Sequence, residues 1–78
     1  MIQVILYSGP DCSLCDHAKA LINPFLGVHI QMREIDITQN FDTKKTYGLR
    51  IPVLAREDDQ SELSWPFTQQ DLVDFLDL

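Results

Sequence analysis

Residues 4–15 read Val4-Ile5-Leu6-Tyr7-Ser8-Gly9-Pro10-Asp11-Cys12-Ser13-Leu14-Cys15, and this stretch decides the fold. Together with Ile2, its first part is a nearly continuous apolar run of strand-forming residues, which suits a central strand covered on both faces. Ser8 to Asp11 form a Gly-Pro loop. From Cys12 to about Asn23 the apolar positions take a helical spacing, with Leu14, Ala18, Leu21, Ile22 and Phe25 on one face. Pro24 ends that helix near Ile22 or Asn23, because the residue before a proline avoids helical geometry.

Working outward, Val28 to Ile37 alternate as a strand, although the apolar side switches midway. Thr38 is a candidate cap for a short helix through about Thr46, with Gly48 as its stop. Pro52 to Ala55 form a third strand, the acidic turn Glu57-Asp58-Asp59 follows, and Glu62 to Ser64 form a fourth. In the last helix Thr68 and Asp71 have capping-box spacing, Phe67 and Leu72 that of a hydrophobic staple, and Leu72, Phe75 and Leu76 form an apolar stripe. The order β-α-β-α-β-β-α predicts an α/β fold. Its first two strands are parallel, joined by a right-handed crossover, and its last two are antiparallel, in a mixed four-stranded sheet with three helices.

The whole chain, 78 residues, is short enough for one domain and a modest core. Its apolar content of 45% and charged content of 23% are those of a folded globular chain. The net charge of −6 repels phosphate backbones and anionic lipids, so neither nucleic acid nor a membrane is an expected partner. The N-terminus has no basic region and no cleavage site, and reads as a strand beginning at once. A cytoplasmic location is the default expectation, where a close cysteine pair is redox-active or metal-binding rather than structural.

Cys12 and Cys15 sit where a strand gives way to a helix. The first turn of a helix offers unpaired N–H groups and a positive dipole end, and both favour a thiolate. Residues i and i+3 are neighbours on a helix, so the two sulfurs can close a disulfide. On a helical wheel begun at Cys12, Cys15 falls at about 300° and the expected apolar face spans about 180° to 280°. Cys15 thus borders the buried face, and Cys12 is the exposed attacking thiol. Asp11 is adjacent, and Asp16 follows Cys12 by one turn. Their carboxylates oppose thiolate formation while the helix end favours it. The expectation drawn is a Cys12 less acidic than the attacking thiol of a strongly activated dithiol.

Other readings of the pair stay open: an inert packed pair, or a metal site. A zinc site takes about four ligands, and beyond the cysteines only His17 and His29 are candidates. Arg50, just before Ile51-Pro52, reads equally as a cation facing the thiols that binds a carboxylate or other anion, and as a surface charge.

Residues 4–15 resemble the active-site region of glutaredoxins, and Arg50-Ile51-Pro52-Val53-Leu54 resembles the segment that carries that family's cis-proline. The element order agrees, so the likeness spans nearly the whole chain, and the chain is most similar to small bacterial glutaredoxin-like proteins of the thioredoxin-like superfamily. The resemblance implies Cys12 as nucleophile, Cys15 as the resolving thiol, and Pro52 as a cis-proline that leaves the Ile51 backbone free to pair with an extended substrate. It implies thiol–disulfide exchange on a disulfide-containing protein or small thiol substrate, by a monomer without a bound organic cofactor, re-reduced by glutathione or a reductase. The departures are specific. Gly9 stands where glutaredoxins usually carry a lysine, and Ser13 and Leu14 replace the intervening proline and tyrosine. Ser64 to Thr68 occupy the region of their Gly-Gly turn and aspartate. Asp11 stands where thioredoxin has a tryptophan. Arg50, Lys44 or Lys45 are the candidates to replace part of the glutathione site. The rival function is a binding module that keeps the fold without useful exchange.

Overall fold

The computed structural model describes residues 1–78. The strands are β1 (Ile2–Ser8), β2 (Ile30–Asp36), β3 (Val53–Arg56) and β4 (Glu62–Ser64); the helices are α1 (Ser13–Ile22), α2 (Phe41–Tyr47) and α3 (Gln69–Phe75). Short 3₁₀ turns at Asn23–Phe25 and Ile37–Gln39 close α1 and β2. The sheet order is β2-β1-β3-β4, with β1 parallel to β2 and antiparallel to β3, and β3 antiparallel to β4. The expected mixed α/β architecture is therefore what the chain adopts.

Side chains alternate across a strand, so the sheet has two unlike faces. Val4 and Leu6 of β1, Ile30 of β2 and Leu54 of β3 point to one side. There they join Ala18 and Ile22 of α1, Phe25, Phe67, Leu72 of α3 and Leu76 in a single buried cluster. On the other side Tyr7 stacks on Tyr47 of α2, with ring centroids 4.1 Å apart. No residue of α2 is buried. The two faces explain the switch of apolar side in β2. Ile30 and Met32 face the core, whereas Ile35, level with Tyr7, lies on the α2 face.

α3 has the expected capping box: the Asp71 N–H donates to Thr68 Oγ1 at 3.1 Å, and the Thr68 N–H donates to Asp71 Oδ2 at 2.8 Å. Phe67 and Leu72 on either side of it are both buried. Three expectations need correction. The cap of α2 is Asn40, whose Oδ1 accepts from the Asp42 and Thr43 N–H groups. Thr38 is taken up by the turn before it, donating both its N–H and its hydroxyl to Asp36 Oδ1. β2 begins at Ile30, because residues 27–29 form a turn in which Val28 is 66% exposed. Leu14 is 45% exposed. The buried stripe of α1 is Cys15, Ala18 and Ile22, centred near 270° on the wheel, so Leu14 at about 200° falls outside it.

Arg56 ties the last strands to the C-terminus. It is nearly buried, and its guanidinium grips both Asp58 oxygens, the Phe75 carbonyl at 2.9 Å and Asp77 at 3.0 Å. This planar fork cannot be reproduced by an ammonium group.

Substitutions should sort by these roles in urea denaturation. Leu72→Ala is expected to cost about 3 kcal/mol by leaving a core cavity, and Thr68→Ala about 1 kcal/mol by removing a cap. Leu49→Ala, at a fully exposed side chain, is expected to leave the midpoint unchanged.

Candidate active site

The site is built at the carboxyl end of β1, where the chain turns into α1. Asp11 makes the turn with a left-handed backbone (φ 53°), a conformation that aspartate tolerates better than most residues. Cys12 is then the N-cap of α1, with extended backbone, and its sulfur accepts a hydrogen bond from the Cys15 N–H at 3.1 Å. A sulfur thus takes the place that a serine or aspartate oxygen holds at an ordinary cap. Cys12 and Cys15 are joined in a disulfide, with Cα atoms 5.2 Å apart. Cys12 is half-buried, while Cys15 is only 2% exposed. Cys15 is thus the deeper of the two, as its place beside the apolar face predicts, while Cys12 is less open than the exposed position expected.

The molecule's one cleft opens over this pair, lined by Gly9, Asp11, Cys12, Ser13, Cys15, Asp16 and Lys19. Asp11 and Asp16, singled out from sequence as modulators, both reach it, and both are exposed. Lys19, in the cleft's lining, belongs to a polar chain that sequence reasoning missed. Ser8, buried at the end of β1, donates its hydroxyl to Glu34 Oε2 at 2.6 Å, and Lys19 pairs with the same oxygen at 2.8 Å. Hydrogen bonds from Lys19 and then Ser8 hold the Glu34 carboxyl below its usual range. The same pairing raises Lys19 above the ordinary lysine value. The signal was present in β2, where Glu34 falls on the same side as Met32; its partners, Ser8 read as loop and Lys19 on α1, were invisible.

The Ile51–Pro52 bond is cis, and so is Trp65–Pro66. Pro52 is buried, and its carbonyl accepts from the Trp65 N–H at 3.2 Å. The Ile51 segment lies against the loop before the cysteines: a Cβ added to Gly9 would stand 3.0 Å from Ile51 Cδ1. Glycine is what lets the two segments come so close. The Ile51 backbone is only half free, because its N–H donates to the Tyr47 carbonyl at 3.2 Å; its carbonyl accepts no hydrogen bond. Arg50 is exposed, sits 5.3 Å from the Tyr47 ring centroid and pairs with Glu62 at 3.0 Å. It does not line the cleft. Tyr47 also donates to Glu62, at 2.6 Å. These contacts lower the Glu62 carboxyl and raise the Tyr47 phenol well above its ordinary value, each chiefly through their shared hydrogen bond. His17 and His29 are exposed, and no three His, Cys, Asp or Glu side chains converge as a metal site. No helix is long and apolar enough to cross a membrane.

Comparison with known proteins agrees with this geometry. Residues 3–77 match the family model described as the glutaredoxin-like domain, DUF836. The X-ray structure of the Northeast Structural Genomics target protein XcR50 from X. campestris is 32% identical, with 95% of each chain covered and a TM-score of 0.81. The solution structure of XcR50 is likewise 32% identical, covering 99% of this chain and 94% of that one, with a TM-score of 0.80. No curated protein matches the chain.

The lowered carboxyls Glu34 and Glu62 set a pH dependence with a defined sign. A carboxyl whose folded value lies below its unfolded one adds stability that is fully present above the unfolded value. That stability is lost as pH falls through the folded value. The urea midpoint should therefore stay level down to about pH 5 and fall below about pH 4. The Glu34→Gln, Glu62→Gln double variant should show a shallower fall, measured as midpoint against pH; an unchanged slope would remove these pairs from the account.

Proposed function

The chain belongs to the glutaredoxin-like domain family, and we propose that it acts as a thiol–disulfide oxidoreductase through Cys12 and Cys15. The observation that carries this reading is the unequal burial of two bonded sulfurs, the more accessible one capping the start of a helix. In the reduced protein, the Cys12 thiolate attacks one sulfur of a substrate disulfide. A mixed disulfide forms, and half of the substrate leaves as a thiolate. Cys15, deprotonated, then attacks the Cys12 sulfur. The Cys12–Cys15 disulfide forms, and the second half leaves as a thiolate. The substrate gains two electrons and the protein loses two. Glutathione or a reductase dithiol restores the protein by the reverse exchange, without a bound organic cofactor.

Each remaining residue has a part in this proposal. The dipole end of α1 and the Cys15 N–H favour the Cys12 thiolate, while Asp11 and Asp16 oppose it. An extended substrate docks beside Pro52, where the Ile51 carbonyl is the group left to receive one of its N–H groups. Arg50, committed to Glu62, contributes to anion binding only if that pair opens. The working form proposed is a cytoplasmic monomer with no nucleic acid or membrane partner, in keeping with its net charge of −6.

The test is trapping. Cys15→Ser should accumulate mixed disulfides through Cys12 in a lysate, and Cys12→Ser should abolish both trapping and reduction of bis(2-hydroxyethyl) disulfide. A protein that traps nothing, and whose cysteine pair does not cycle in a redox titration, would instead be a binding module on the same fold.

A further inference from the structure

Resting on that redox reading, we infer that the cleft selects disulfides that carry positive charge beside the sulfur, such as cystines in basic peptide segments, over anionic disulfides. The argument is a charge census of the groups that meet a substrate at Cys12. Two carboxylates, Asp11 and Asp16, line the cleft and are exposed. Neither takes part in an ion pair; Asp16 stands near enough to Lys19 to help raise it, and both carboxylates stay open to solvent and to whatever enters.

The one cation lining the cleft, Lys19, is already paired with Glu34 at 2.8 Å, and the Ser8 hydroxyl donates to the same carboxylate. Across the Gly9 loop the nearest cation in sequence to Pro52 is Arg50, and it is matched by Glu62 at 3.0 Å. Lys44 and Lys45 lie on α2, on the face of the sheet that Tyr7 shares with Tyr47, and line no part of the cleft. The local balance is thus negative, and the whole chain has the same sign at −6. A negatively charged approach path raises the encounter rate of cations and lowers that of anions.

The probes share one short skeleton and differ in charge: cystamine with two ammonium groups, bis(2-hydroxyethyl) disulfide with none, and 3,3′-dithiodipropionate with two carboxylates. Each is mixed with the reduced protein, and the rate of Cys12–Cys15 disulfide formation is divided by the rate of the same probe with dithiothreitol. The division removes differences in leaving-group reactivity. The normalised rate for cystamine should exceed that for dithiodipropionate on the order of tenfold at low ionic strength, and the gap should close toward about twofold at high salt.

The Asp11→Asn, Asp16→Asn double variant should shrink the low-salt ratio to about threefold or less. Because the ratio compares substrates on one protein, a change in Cys12 reactivity cancels from it. Asp16→Asn alone, which leaves the left-handed turn untouched, should move the ratio in the same direction. Equal normalised rates, a preference for the anion, or a ratio insensitive to salt and to both variants overturns charge selection and leaves the redox reading standing. Failure to react with any of the three probes overturns both.

Discussion

The hydrogen bond from the Cys15 N–H to the Cys12 sulfur is the contact on which the site depends. A helix needs an acceptor at its first residue, and here that acceptor is also the sulfur proposed to attack substrate. In the disulfide the sulfur is a weak acceptor. As a thiolate it carries a full negative charge, and the same N–H then makes a charge-assisted bond. Helix and thiolate therefore stabilise each other, which no arrangement with Cys12 inside the helix would achieve. The geometry also sets the two sulfurs apart, since the capping position lies at the helix tip and the position three residues on falls on the buried stripe.

Much of this was legible because it is local. The β1 run, the Pro24 stop, the capping box at Thr68 and the Cys12–Cys15 spacing are all relations between residues within one turn or one strand, and each appears in the structure. What was misread depended on partners far along the chain or on a competing local turn. Leu14 matches the helical period but has no neighbour to cover it in the first turn, because the sheet is met by Cys15, Ala18 and Ile22. Asn40 rather than Thr38 caps α2 because Asp36, two residues before Thr38, claims the threonine for its own turn. The Ser8–Glu34–Lys19 chain joins residues from two strands and a helix. No spacing rule brings those three together, although a charged residue on the core side of β2 was the mark it left.

The sheet's second face explains why Arg50 is not at the thiols. β1 places Tyr7 there, Tyr47 stacks on it, and Glu62 of β4 receives both the Tyr47 hydroxyl and Arg50. Arg50 therefore belongs to the contact that seats α2 on a face where the helix buries no residue of its own. That contact also consumes the Ile51 N–H through the Tyr47 carbonyl. The segment before Pro52 is consequently braced from one side and open from the other.

These constraints together fix where function can reside in so small a chain. The single core lies between one sheet face and the pair α1 and α3, and Arg56 closes the C-terminus back onto β3 through Phe75 and Asp77. The loops at the carboxyl end of β1 lie outside that closure, and they alone bring a helix start, a glycine that allows close approach and the Pro52 segment to one place. At that end the core-side positions turn polar: Ser8 follows Leu6 along β1, and Glu34 follows Met32 along β2. A hydrophobic core extended to the tip would have sealed Cys12 away from any substrate. At the start of α1 Cys15 is buried and Cys12 only half-buried, the asymmetry on which the proposed dithiol exchange relies.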